Sequence, residues 1–239
     1  MYTCGHTAGG GGRIDSWKGQ KIVAYNQSIS APYAGTATGY PVHVEFPILD
    51  SHNRFYAIPI VGYVVKYIMI IPYAIALLVL ALVVSVCQLV VWFPVMTTGQ
   101  YPAWAFRLNG GLIRYIKRAS SFLYGLTDRY PSFSLDDQAG DGDAMVVIES
   151  QQSYSKFWAI PIVGAVVKEV ILIPHLIILY ILTYVVGIVQ LVTWIPVLFG
   201  GKYPLWGYQL VGGYIRWSAR VLAYALGLSD TYPPFSLSE

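Results

Sequence analysis

"PYAIALLVLALVVSVCQLVVWFP", Pro72–Pro94, decides the fold. Between its two prolines lie 21 residues without a formal charge, close to the ~20 that a helix needs to cross a bilayer core. The same length returns at Pro174–Pro196, "PHLIILYILTYVVGIVQLVTWIP". The composition agrees. Of 239 residues, 56% are hydrophobic and only 11% charged, against about 25% charged in ordinary soluble domains. Twenty tyrosines and seven tryptophans suit a protein with much surface at a membrane interface. The chain reads as an integral membrane protein.

Outward from Pro72, apolar residues run from Phe55 to Met96 with Lys66 as the one charge. A single helix of that length would measure about 60 Å, twice a bilayer core of about 30 Å. A break is therefore expected, and prolines 59, 72 and 94, repeated at 161, 174 and 196, are the natural places for it. The expectation is a proline-bent hairpin, with Phe55–Ile71 running in and Tyr73–Phe93 running back.

The second apolar run belongs to a duplication. Residues 55–135 align without a gap onto 157–237, with 41 of 81 positions identical, far above chance and spread along the whole length. Each copy continues into a basic amphipathic segment, Ala103–Tyr124 in the first. There Arg107, Arg114, Lys117 and Arg118 fall within about 100° of helical arc, with Arg216 and Arg220 on the matching face of the second copy. Such a helix is expected in the headgroup plane, its cations on anionic lipid phosphates or ion-paired with Asp128 and Asp230. Burial in a bundle is the lesser expectation. Gly110, Gly111, Gly212 and Gly213 interrupt these helices, which suggests close packing against another backbone. A positive-inside argument puts both basic helices on the cytoplasmic side of the membrane.

Each copy closes on nearly the same phrase, "LTDRYPSFSL" at Leu126–Leu135 and "LSDTYPPFSL" at Leu228–Leu237. A glycine precedes each as a helix stop. Asp128, Tyr130 and Pro131, like Asp230, Tyr232 and Pro233, suit a turn leaving the helix. The phrase reads as a terminal clasp without chemistry. Short alternating segments, Val42–Phe46 and Val146–Glu149, precede the copies and read as strands. The domains follow as an arm over 1–39, modules over 40–135 and 145–239, and an acidic linker over 136–144. The Gly-rich arm cannot form a core alone and is expected to be ordered by partner subunits.

No metal or cofactor is expected. His43, Glu45, Asp50 and His52 are the only ligand-like group, and the second copy has no histidine there. His175 stands where the first copy has Tyr73. Cys4 and Cys87 make no framework, no catalytic fingerprint is present, and nothing points to nucleic acid. Taken together, the "IPH/IPY" apolar helix, the "G-x-YP" loop, the "IRW-x-x-R-V" basic helix and the "YPPFSL" closing phrase resemble the bacterial membrane proteins grouped as domain of unknown function 4389, present here in tandem. The resemblance implies fold and location and carries no activity. The fold expected is an all-α integral membrane protein of two modules, each a proline-bent apolar hairpin plus an interfacial basic helix, preceded by a short β segment. The function expected is a non-catalytic accessory subunit that contacts anionic lipid. A transporter or channel is the alternative, with Lys66, Lys168, Glu169, Gln88 and Gln190 as its polar groups.

Overall fold

The computed structural model describes residues 40–46, 49, 51–58, 60–136, 144–160 and 162–238. The expected partner-held arm and most of the acidic linker lie outside these residues. The described chain is mostly helical. Strand β1 (Val42–Glu45) leads through a 3-10 turn (Arg54–Ala57) into α1 (Val61–Thr98) and α2 (Ala103–Leu123). Strand β2 (Met145–Ile148), a 3-10 turn (Lys156–Ala159), α3 (Val163–Gly200) and α4 (Leu205–Ala225) repeat the order.

The proline break does not occur. Helix α1 runs for 38 residues through Pro72 and Pro94, and α3 for 38 through Pro174 and Pro196. Each is about 57 Å long at 1.5 Å per residue. A proline inside a helix loses a hydrogen bond and crowds the preceding turn, at a cost of about 3 kcal/mol. Packing offsets that loss. Tyr73 and His175, the residues after Pro72 and Pro174, are fully buried. The Tyr73 ring stacks on Tyr115 of α2 at 3.8 Å between centroids, and His175 accepts a 2.9 Å hydrogen bond from Trp217 of α4. The chain turns instead at Gly99 and Gly201, whose φ values of 72° and 67° suit glycine at a helix C-terminus. Each module is thus a hairpin of a long apolar helix and a shorter basic one.

The two modules are related by a pseudo-twofold axis. β1 and β2 pair antiparallel in the register Val42↔Ile148, Val44↔Val146. Val44 and Val146 are equivalents in the repeat, so the strands meet at each other's copy. The strands also cross over. Arg216 of α4 donates Nε–H to the Val44 carbonyl at 3.0 Å, and Arg114 of α2 does the same to Val146 at 3.0 Å. The core sits on the axis and mixes both modules: Val42, Val44, Phe46, Val146 and Ile148 pack with Ile113, Ile215, Ala219, Leu126 and Leu228.

The long helices form the outside. In the most apolar stretch of α1 only 11% of residues are buried, and in that of α3 only 22%. Both are long and apolar enough to cross a membrane. Their outward faces carry exposed aliphatic side chains such as Leu78, Leu82, Leu89, Ile177, Ile181 and Leu191.

Candidate functional site

The closing phrase is held by arginine. Arg118, 1% exposed, gives Nη1–H to the Ser134 carbonyl and Nη2–H to that of Asp136 at 2.7 Å. Arg220 repeats this on Ser236 at 3.3 Å and Ser238 at 2.7 Å. Arg114 adds Nη1–H to Leu135 O at 3.2 Å. Gly111 and Gly213 let the phrase close on the helix. A Cβ at Gly111 would stand 2.9 Å from Leu135 Cβ, and one at Gly213 2.7 Å from both Leu237 Cβ and its carbonyl oxygen. Gly110 faces Ile148 of β2, and Gly212 faces Phe46 just past the end of β1. Tyr130 and Phe133 pack their rings around Tyr73, as Tyr232 and Phe235 do around His175. Pro131 and Pro233 are buried.

This geometry departs from the expected headgroup placement. Arg114, Lys117, Arg118 and Arg220 are buried within the chain, Arg216 is half-buried, and Arg107 alone of the six is exposed. The reason is local: a guanidinium that lies over backbone carbonyls left unpaired by an irregular segment satisfies both. Lys117 reaches Ser218 of α4, its Nζ 2.7 Å from the hydroxyl oxygen. Burial pushes its ammonium pKa down to about 7.

The aspartates turn away from these arginines and serve the 3-10 turns. Asp128 Oδ2 accepts the Asn53 N–H and lies 3.5 Å from His52 Nδ1. Asp230 Oδ2 accepts the Ser155 N–H at 2.6 Å, while its Oδ1 lies 3.7 Å from Lys168 Nζ. Gly99 and Gly201 complete the tie, their carbonyls accepting Tyr154 N–H at 2.8 Å and His52 N–H at 2.7 Å from the opposite module.

These contacts border two open cavities at equivalent places between the modules. One is walled by His52, Tyr56, Lys66, Asp128, Gln190 and Tyr203, and has a volume of about 40 Å³. Its counterpart is walled by Tyr154, Trp158, Lys168, Asp230, Gln88 and Tyr101, and measures about 450 Å³. The sequence singled out Lys66, Lys168, Gln88 and Gln190; the structure brings each lysine to the glutamine of the other module. Glu169 is exposed on α3. Lys66 Nζ donates to Phe122 O at 2.9 Å and Lys168 Nζ to Tyr224 O at 3.4 Å. Gln88 Nε2–H donates to Leu226 O at 3.0 Å, and Gln190 Nε2–H to Tyr124 O. Burial pushes the hydroxyls of Tyr101 and Tyr203 up to about 12, so both stay protonated well into alkaline solution.

Residues that the sequence did not mark explain the difference in size. Tyr63 and Leu123 line the small cavity where Ala165 and Ala225 line the large one. Tyr63 donates its hydroxyl to Gln190 Oε1 at 3.2 Å. The signal was in the repeat itself, at positions where a large side chain in one copy meets a small one in the other.

Among the described residues no three His, Cys, Asp or Glu side chains gather as a metal site. His43 lies on β1 while His52 goes to Asp128. Comparison with curated proteins and with solved structures returns no match. The family described as Domain of unknown function (DUF4389) matches twice, over residues 62–134 and 164–236. Those two stretches cover more than half of the chain and coincide with the two helical hairpins and their closing phrases, so the protein belongs to that family and carries its domain as a tandem duplication.

Proposed function

We propose that this protein is a non-catalytic membrane scaffold: an integral membrane protein that serves as a structural or accessory subunit of a larger assembly. The observation that carries the reading is the outward apolar surface of α1 and α3. Aliphatic side chains such as Leu78 and Leu89 are 70% and 73% exposed, and they recur along both 38-residue helices. A surface of that extent needs lipid or a partner subunit to cover it. The charged groups of the inner helices are turned inward onto backbone carbonyls, which supports an architectural role for them. Among the described residues Arg54, Arg107, Arg129, Lys156 and Lys202 remain exposed and are cations available to anionic headgroups. Partner subunits are expected through residues 1–40 and the outer helices.

The test is extraction from native membranes. The chain should stay with the membrane through an alkaline carbonate wash, and should come out in mild detergent at the size of a multi-protein complex. Release by carbonate, or a lone 26.5 kDa chain from intact membranes, would remove the basis for the reading. A second reading, passage of a small solute or ion, is favoured by one observation. The 450 Å³ cavity places Lys168, Asp230 and Gln88 beside a candidate span, where polar groups commonly mark pathways. Flux through liposomes holding the purified chain, lost in Gln88→Leu, is the outcome that would favour it.

A further inference from the structure

We infer that the larger cavity is a binding site for one neutral, hydroxyl-bearing apolar molecule, and that Tyr63 occupies the matching place in the smaller cavity as a built-in substitute for it. The two cavities share a frame, since every wall residue of the smaller has its repeat equivalent in the larger. They differ in filling. In the smaller cavity the Tyr63 hydroxyl donates to Gln190 Oε1 at 3.2 Å, and Leu123 closes the space behind it. What remains on the lysine side of Tyr63 is about 40 Å³, enough for about one water molecule. A separate cavity of about 500 Å³, reaching Tyr67 and Thr183, lies against the same Tyr63 and Leu123, but there the Gln190 carbonyl oxygen is already taken by the Tyr63 hydroxyl. In the larger cavity Ala165 and Ala225 stand at those positions, and about 450 Å³ is left, within the range of small-molecule sites of about 300–1,000 Å³.

The chemistry of the occupant follows from the walls. Gln88, the equivalent of Gln190, has its amide nitrogen held by Leu226 O at 3.0 Å. Its carbonyl oxygen is then the acceptor that a hydroxyl would use, as Tyr63 uses that of Gln190. Val91, Trp92, Val95 and Trp158 supply apolar and aromatic surface for a ring or chain, with the exposed Leu89 and Ile162 at the rim. Among the described residues the only charges lining the cavity are Lys168 and Asp230, which lie 3.7 Å apart and compensate each other. A net charge on the occupant would therefore lose its hydration without gaining an uncompensated partner. The site selects a phenol or alcohol over a phosphate or an ammonium.

The proposal does not rest on membrane insertion, because the cavity would hold such a molecule in any setting. The experiment uses the full chain in nonionic detergent, with 4-nonylphenol as the probe and calorimetric or native mass-spectrometric readout of stoichiometry. One probe molecule should bind per wild-type chain, none to Ala165→Tyr, and two to Tyr63→Ala. The methyl ether, 4-nonylanisole, should bind at least about 10-fold more weakly, a difference of about 1.4 kcal/mol. Gln88→Leu should show the same loss without filling the cavity, which keeps the proposal testable if Ala165→Tyr fails to fold. The natural source is separated by competition: displacement by decyl-hydroquinone points to a quinol, and displacement by dioctanoylglycerol to a lipid alcohol. Equal binding to wild type and Ala165→Tyr, tighter binding of 4-nonylphosphate than of the phenol, or displacement by neither competitor would overturn the proposal.

Discussion

The two modules agree where they are clasped and differ where they face each other. Arg118 and Arg220, Gly111 and Gly213, and Asp128 and Asp230 occupy the same places and make corresponding contacts. Tyr63 and Ala165, Leu123 and Ala225, and Lys117 and Ala219 do not match. A duplicated unit must keep the contacts that fold each copy. It can depart from symmetry where one copy touches the other, and inside a module where two partners change together, as Tyr73 on Tyr115 becomes His175 on Trp217. The clasp lies inside each module and is the conserved half of the comparison. The cavities and the α2–α4 contact lie between modules and are the divergent half.

The largest effect should come from breaking the clasp. Arg118→Ala strands two backbone carbonyls at a buried site, where each unsatisfied group costs about 1–3 kcal/mol. A loss of about 3 kcal/mol is expected in denaturant titrations of the detergent-solubilised chain. Arg220→Ala should lose less, because its contact to Ser236 is longer, 3.3 Å. Arg118→Lys should rescue little, since an ammonium cannot reproduce the planar fork that reaches Ser134 and Asp136 together. If the two alanine variants cost the same, or the lysine restores stability, the clasp does not work through that fork.

A smaller effect tests the close approach. Gly111→Ala and Gly213→Ala gain helix propensity of about 1 kcal/mol each but push a methyl group into the closing phrase. At Gly111 the nearest atom is Leu135 Cβ at 2.9 Å; at Gly213 it is a Leu237 carbon and a backbone oxygen, both at 2.7 Å. Overpacking of this kind costs about 1–3 kcal/mol. Gly213→Ala should therefore lower the unfolding midpoint more than Gly111→Ala. The reverse order in paired thermal melts would show that the second phrase yields more easily than the first.

The same asymmetry explains what could be read from the chain beforehand. The duplication, the apolar helices, the basic helices, the turn at the closing phrase and both strands were legible, because each is a local pattern of spacing or identity. The unbroken course of α1 through Pro72 was not. A proline signals a break in an isolated helix, and only the burial of Tyr73 on Tyr115 shows why this one holds. The inward turn of Arg118 was hidden for a related reason. A basic stripe looks the same whether it faces phosphate or the chain's own carbonyls, and the carbonyls at Ser134 and Asp136 become acceptors only once the phrase has folded back. The cavity was hidden further still, since it needs Gln88 from one module and Lys168 from the other.

The last comparison concerns Lys117, which has Ala219 as its counterpart. It is buried in the α2–α4 contact with Ser218 beside it, and burial lowers its pKa from 10.5 to about 7. The folded state thus releases this proton more readily than the unfolded chain does. Between about pH 10.5 and pH 7 the unfolded chain binds the extra proton, so stability falls as the pH falls through that window and levels off below it. Lys117→Met keeps the length of the side chain and removes the titration. It should raise the unfolding midpoint most at pH 6, less at pH 8, and hardly at pH 10, as measured by melts of both proteins across that range. A pH-independent difference would mean that Lys117 keeps its charge when folded, with Ser218 and the helix carbonyls solvating it. In that case the departure of Lys117 from Ala219 would be a polar tie between the modules that only one copy supplies, made to a Ser218 whose own counterpart is Ile116.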